Sequence, residues 1–228
     1  MVAPACLRPS TSPSVSISFP TDIPFETVQI YYHMVGAFGG RGGQVESHPD
    51  IRVSEINASF EGQPATAIKI LVYAQGCDIV TFDLSLTSNP NPYERFQCSP
   101  LPKVSLSGQV PSDLIQNKNA ELVVTYMAYW AHNFFGIADG AVAGFQLATV
   151  FPSKDGTFDV ELTDFSVSAN VSRFSNEGDL RLMLRDAKTR NHIALNLVPK
   201  PPSLKSDYGG LKTLSSYPRN LQFDADPQ

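Results

Sequence analysis

The acids Asp155, Asp159, Glu161 and Asp164 crowd one short stretch of this 228-residue chain. Two carboxyl groups held about 5–9 Å apart can hydrolyse a glycosidic bond, one as acid and the other as base or nucleophile. Asp159 and Glu161 are two residues apart, so a strand would put both on one face. That face lies opposite Phe158, Val160 and Leu162. It is therefore expected to be solvated, with no cleft to shift a carboxyl pKa. The four histidines, His33, His48, His132 and His192, include no pair at i, i+2 or i, i+4, so metal-ligand spacing is missing. His132 stands among Tyr126, Tyr129, Trp130, Phe134 and Phe135, where a packed or capping role is expected over that of a ligand or general base.

Gly36-Ala37-Phe38-Gly39-Gly40-Arg41-Gly42-Gly43 has the glycine density of a backbone anion nest around Arg41. Arg41 is not followed by Ser or Thr, and no helical pattern follows the run. Neither a phosphate-binding loop nor a dinucleotide fingerprint is formed. A plain mobile loop is expected, with Gly39, Gly40 and Arg41 as its candidate site residues. No G-x-S-x-G elbow and no D-x-[DN]-x-[DN]-G calcium loop occurs. The segment from Tyr126 to Phe135 is the best candidate surface, through Tyr129, Trp130, His132, Phe134 and Phe135. Aromatic rings with polar tips suit carbohydrate or peptide contacts. Leu122 to Trp130 is apolar on both faces, however, and the same rings are expected to fill a core. Asn57-Ala58-Ser59 and Asn170-Val171-Ser172 are acceptor triplets for N-glycosylation where the source glycosylates its proteins.

The elements that must position these residues read as strands. In Thr66 to Leu86 two alternating runs flank the turn Ala74-Gln75-Gly76-Cys77. Ile68, Ile70 and Val72 share one face, and after the turn Val80, Phe82, Leu84 and Leu86 share another. Period-2 alternation argues a half-buried β-hairpin, and Gly76 supplies the positive φ of a tight turn. Thr27 to Val35, a short run near Ile51 to Ile56, Tyr93 to Cys98, Val104 to Val110, Leu122 to Trp130, Phe145 to Phe151, Phe158 to Leu162, Leu180 to Leu184 and Ile193 to Leu197 continue the series. Ala131 to Ala138 is expected as a short helix or bulged loop. Ser153-Lys154-Asp155-Gly156 reads as a hairpin turn. Strands at short spacing with turns between them suggest sandwiches rather than βαβ units.

Charged residues make up 17 % of the chain, below the usual roughly 25 %. The net charge is −5 with no basic cluster, which argues against nucleic-acid partners. No run approaches the ~18 apolar residues of a membrane span. Of the three cysteines, Cys6, Cys77 and Cys98, the last two bracket a short loop. A disulfide between them is expected, against two separate buried thiols; it would stabilise by about 3 kcal/mol for such a loop and imply an oxidising compartment. The opening Ala3-Pro4-Ala5-Cys6 stretch has neither a basic region nor an adequate apolar run. It reads as the tail of an export signal whose beginning lies outside this chain, or as a cytosolic leader. The composition favours an extracytoplasmic or secreted protein over a cytoplasmic one.

Gly108-Gln109-Val110, the central run Leu122 to Tyr129 and Asp155-Gly156-Thr157-Phe158 resemble the carboxypeptidase regulatory-like, or transthyretin-like, β-sandwich modules of exported bacterial proteins. Tyr73-Ala74-Gln75-Gly76-Cys77-Asp78-Ile79 looks like the late turn of such a module, so the hairpin would close a first copy. The long segment between Tyr129 and Phe145 departs from the pattern. The resemblance implies no catalytic residues and an accessory, structural or binding role. The expected chain is therefore all-β, with two tandem transthyretin-like or Ig-like β-sandwich modules and disordered termini. The segments are a Ser/Pro-rich leader over residues 1–24, modules over 25–100 and 102–200, and a polar tail over 201–228 that is disordered or docked by Tyr208, Tyr217 and Phe223. The expected role is non-enzymatic binding or accessory work with an unknown protein or carbohydrate partner, no metal and no cofactor. A carbohydrate- or peptide-binding module at Trp130 is the second reading, and an enzyme with a loop-built site the third.

Overall fold

The computed structural model describes residues 13–36, 39–45, 53–60, 63–134, 137–170, 179–193, 195–208 and 211–225. Among these the chain is dominated by strands and forms two compact units, each of β-sandwich type. The first unit takes in the residues up to Val72 together with Thr81–Gln97; the second takes in Tyr73–Val80 and the chain from Cys98 onward.

In the first unit, β1 (Ser14–Ser18) lies between β4 (Val53–Asn57) and β9 (Tyr93–Arg95). It runs antiparallel to β4 and parallel to β9. The expected disordered leader thus supplies the middle strand of a sheet. The reason is local: Val15, Ile17 and Phe19 alternate with serines, and all three rings or branched chains are buried. Alternation decides the conformation even in a Ser/Pro-rich background. The second sheet has the order β3-β2-β7-β8, with β2 (Val28–Gly36), β3 (Gly39–Val45), β7 (Ala67–Ala74) and β8 (Val80–Ser85). A small ribbon, β5 (Ser59–Phe60) with β6 (Gln63–Pro64), completes the unit.

The central hairpin is as expected in kind but not in burial. Ala67 to Ile70 alternates, whereas Leu71 to Ala74 is buried on both faces, and Val80, Phe82 and Leu84 are only half-buried because β8 is the edge of its sheet. His33, in β2, is also buried, at 7 % exposure.

In the second unit, β10 (Lys103–Gln109) leads through a short helix, α1 (Ser112–Lys118), to β11 (Ala120–Phe134) and β12 (Ile137–Val150). β13 (Thr157–Thr163), β14 (Asp179–Asp186), β15 (Leu195–Leu197), β16 (Leu204–Tyr208), β17 (Leu211–Leu214) and β18 (Leu221–Ala225) follow. Two sheets result, β13-β10-β18-β15 and β12-β11-β14-β17-β16. Leu106, Leu122, Val124, Phe145, Leu162, Leu180, Leu182, Leu184 and Leu197 fill the core. Among its described residues the expected polar tail forms three strands, β16 to β18: β17 pairs with β14, and β18 pairs with both β10 and β15. Phe223, in β18, packs against Phe158 at 6.3 Å between ring centres.

Two local expectations change. Ala131 to Ala138 does not form a helix or bulged loop within its described residues; β11 and β12 stay in one register from Thr125 opposite Gln146 to Phe134 opposite Ile137. Residues alternating in a ribbon need only a partner strand, not an apolar face, to satisfy their backbone groups. The Ser153–Gly156 turn is tight, with the Gly156 N–H donating to the Ser153 carbonyl at 2.8 Å. Its flanking strands nevertheless join different sheets, so it is a sheet-to-sheet corner and not a hairpin. Gly156 has φ +87°, and a Cβ there would overlap the Val110 carbonyl oxygen.

Candidate functional site

The glycine-rich candidate is not a loop. Gly39 and Gly40 stand in β3, and Arg41 follows them in the same strand, with Met34 opposite Arg41 and Val35 opposite Gly40. An anion nest needs successive N–H groups turned to one side, whereas a strand directs them alternately to either side. Gly43 has a packing reason instead: a Cβ there would come within 2.7 Å of the Tyr32 hydroxyl and 2.9 Å of its ring. The Tyr32 ring covers this glycine as aromatic side chains cover glycines elsewhere in sheets.

The aromatic candidate lies on β11. Tyr129, Trp130, His132 and Phe134 are strand residues paired with Val142, Ala141, Asp139 and Ile137 respectively. Phe135 lies outside the described residues, as does His48. β14 accompanies β11 only from Ala120 to Met127. Beyond that point the described partner of β11 is β12 alone. The segment is therefore the outer half of a long two-stranded ribbon.

The acids are occupied with local structure. Asp155 Oδ1 accepts from the Thr157 N–H at 3.2 Å, the Thr157 hydroxyl at 2.8 Å and the Ser153 hydroxyl. The Ser153 and Thr157 hydroxyls, with the Thr157 N–H, hold its carboxyl below the usual carboxylate range. Asp159 and Glu161 lie on the exposed face, as the alternation implied, and Glu161 meets Lys103 at 3.2 Å. Asp164 caps a short 3-10 turn over Phe165–Val167 through the Ser166 N–H at 2.9 Å. Among the described residues no group of three or more His, Cys, Asp or Glu is arranged to hold a metal. No helix among them is long and apolar enough to cross a membrane.

What the structure does gather is a polar knot around the hairpin tip Tyr73–Val80, inside the second unit. Cys77 and Cys98 form the expected disulfide, with Cα atoms 5.2 Å apart. Gly76, at φ +83°, accepts from the Leu101 N–H at 2.9 Å and donates its own N–H to the Thr163 hydroxyl at 3.1 Å. The Tyr73 hydroxyl shares a hydrogen bond with the same Thr163 hydroxyl at 3.0 Å. The Tyr217 hydroxyl donates to the Thr163 carbonyl at 3.1 Å and accepts from the Phe165 N–H at 3.1 Å. Asp78 is 3 % exposed. Its Oδ1 accepts from the Ile79 N–H at 2.8 Å and the Ser168 hydroxyl at 2.5 Å, while Asn170 Nδ2 donates to the Ile79 carbonyl at 2.9 Å. A buried carboxylate is tolerable when its lone pairs are met by such donors.

Rings close over these bonds. Tyr73 packs on Phe145 at 5.6 Å and Phe165 at 5.5 Å, and Tyr126 stacks on Phe165 at 4.4 Å. Burial pushes the phenols of Tyr126 and Tyr217 well above the ordinary tyrosine value and raises that of Tyr73. Such phenols stay neutral across physiological pH and serve as fixed donors and acceptors, so the knot is chemically a lock. The disulfide was legible in the sequence. Thr163, Ser168, Asn170 and Tyr217 were not, for each lies far along the chain from the tip it holds. Asp78 carried the one available signal, an acid inside the apolar run Cys77-Asp78-Ile79-Val80.

The fold and this lock define a two-unit β-sandwich protein with one internal disulfide. No family model matches the chain, that of the carboxypeptidase regulatory-like modules included, and none of the curated proteins matches it. Among solved structures it is similar to a mutant of the shaft pilin spaA from Lactobacillus rhamnosus GG, at 7 % identity over 95 % of this chain and 99 % of that one, with a TM-score of 0.24. It is also similar to a streptococcal ancillary pilin, at 10 % identity over 97 % of this chain and 64 % of that one, with a TM-score of 0.28. Likenesses of this size do not place the chain in a pilin fold; its β-sandwich character rests on its own sheets.

Proposed function

We propose that the chain is an exported, non-enzymatic accessory or binding protein. The observation that carries this reading is the Cys77–Cys98 disulfide at the centre of the second unit's polar knot. A bridge with this structural setting belongs to an oxidising compartment. Four acids that chemistry would recruit are engaged otherwise among the described residues: Asp155 and Asp164 in turns, Asp78 beneath the tip, and Glu121 between Arg185 and Arg190. Fractionation of cells expressing the full-length gene tests the proposal. Recovery in the extracytoplasmic fraction supports it, and recovery only in the cytoplasm overturns it.

The outer β11–β12 ribbon favours a more specific version, in which it is the binding element. Trp130, His132 and Phe134 stand at alternate positions of a ribbon that continues past the last pairing of β14. A carbohydrate or extended peptide is the partner this residue set suits. Replacing residues 129–142 by an Asn-Gly turn, which fits a two-residue hairpin, should abolish binding on glycan and peptide arrays while leaving the thermal unfolding of the second unit in place. Unchanged array binding by that variant would remove the ribbon from consideration.

A further inference from the structure

We propose that Asn57 is an N-glycosylation acceptor, modified after folding by an oligosaccharyltransferase of the bacterial type. The proposal rests on the extracytoplasmic reading above, since the sugar donor is presented on that side of the membrane. The chain carries two Asn-x-Ser triplets, at Asn57 and Asn170, and the structure treats them differently.

Asn57 ends β4, an edge strand of its three-stranded sheet, and is exposed. Ala58 is fully buried and pinned on both sides. Its N–H donates to the Pro13 carbonyl at 2.8 Å, and its carbonyl accepts from the Ala65 N–H at 2.9 Å. The Ser59 N–H donates to Asn57 Oδ1 at 3.1 Å. This is an Asx turn, and it folds the asparagine side chain toward the serine that completes the triplet. The turn engages the amide oxygen and leaves Nδ2, the atom that must react, without a hydrogen bond to any described residue. Glu55 stands two residues before Asn57, the place where the bacterial type of transferase reads an acid.

Asn170 has the opposite character. It is half-buried, and its Nδ2 donates to the Ile79 carbonyl at 2.9 Å within the polar knot. The residue two before it is Ser168, which offers no carboxylate. Freeing its amide would break a bond that holds the hairpin tip.

In the transfer, Asn57 Nδ2 attacks the anomeric carbon of an oligosaccharide carried on a polyprenyl pyrophosphate. The N–C1 bond forms and the C1–O bond breaks. The pyrophosphate leaves with the electron pair, and one amide proton passes to the transferase's base. No oxidant or reductant is needed.

The test incubates the folded, oxidised full chain with a purified transferase of this type and a polyprenyl-pyrophosphate oligosaccharide, read by intact mass and glycopeptide mapping. The expected result is one glycan per chain, on the peptide containing Asn57. Asn57→Gln and Ser59→Ala should accept none, and Glu55→Gln should fall at least tenfold. Ser172→Ala, which removes the second triplet and spares the Asn170–Ile79 bond, should match the parent. The proposal is overturned if the folded chain accepts no glycan while a peptide of residues 51–63 is modified in the same mixture, or if the glycan maps to Asn170. Purified components make this result independent of where the cell sends the chain, so a failure of the export reading remains separately visible.

Discussion

Two turn glycines with nearly the same φ should respond very differently to alanine. Gly76 has φ +83° and a Cβ there would meet no heavy atom within 4 Å; Gly156 has φ +87° and a Cβ there would overlap the Val110 carbonyl. Placing an L-residue in the left-handed region costs about 1–2 kcal/mol by itself. That is the whole penalty at Gly76, so Gly76→Ala is expected to cost about 1 kcal/mol. At Gly156 the Val110 backbone must also move, which disturbs the 3.0 Å bond from the Val110 N–H to the Gly156 carbonyl. A lost backbone bond adds about 1 kcal/mol and the displaced carbonyl more, bringing Gly156→Ala to about 3 kcal/mol. With a urea slope of about 2 kcal/mol/M, the midpoints should fall by about 0.5 M and about 1.5 M. Both glycines belong to the second unit, so fluorescence-monitored unfolding of the oxidised chain reads them in one transition. Equal midpoint shifts, or a larger one for Gly76→Ala, would refute the steric account of the corner.

Reducing the Cys77–Cys98 bridge, or replacing both cysteines by serine, should cost about 3 kcal/mol from the loop of this length, read as a lower urea midpoint with the same native circular dichroism. Alkali should unfold the chain steeply. Tyr73, Tyr126 and Tyr217 have folded pKa values raised by burial. Their contribution is complete below the unfolded tyrosine value of about 10 and is lost as pH climbs from there toward the folded values; absorbance at the tyrosinate band should lag until unfolding releases them. Glu121→Leu strands the Arg185 guanidinium, whose side chain is 20 % exposed and whose partner is the 4 %-exposed Glu121. Breaking a buried pair on one side costs about 3 kcal/mol, measurable as a drop in Tm.

Local pattern carried the fold wherever a strand's own alternation decided its state. Phe158, Val160 and Leu162, and Leu180, Leu182 and Leu184, were visible as core-facing series for this reason. The Gly76 turn was legible because only its own φ mattered. Pattern failed where a partner from elsewhere decided. The run Gly39 to Gly43 has no strand propensity of its own and becomes a strand because β2 offers hydrogen bonds and Tyr32 covers Gly43. Asp155-Gly156 has the composition of a hairpin turn, and nothing local reveals that its strands join different sheets. The short helix Ser112–Lys118 was missed although Pro111 before it and Asn119 after it, at φ 45°, are start and stop residues. The knot partners Thr163 and Tyr217 sit 90 and 54 residues from, respectively, Tyr73 and the Thr163 carbonyl, a separation across which a single sequence holds no pairing signal.

The Cys77–Cys98 bridge holds the hairpin tip, and its redox state in the living cell is the most direct test of the export reading. The chain should be isolated from its native host in the presence of an alkylating agent and without reductant, then digested and mapped. The Cys77 and Cys98 peptides should run as one disulfide-linked species from the extracytoplasmic fraction. Separate, alkylated Cys77 and Cys98 peptides in freshly quenched cells would contradict that reading.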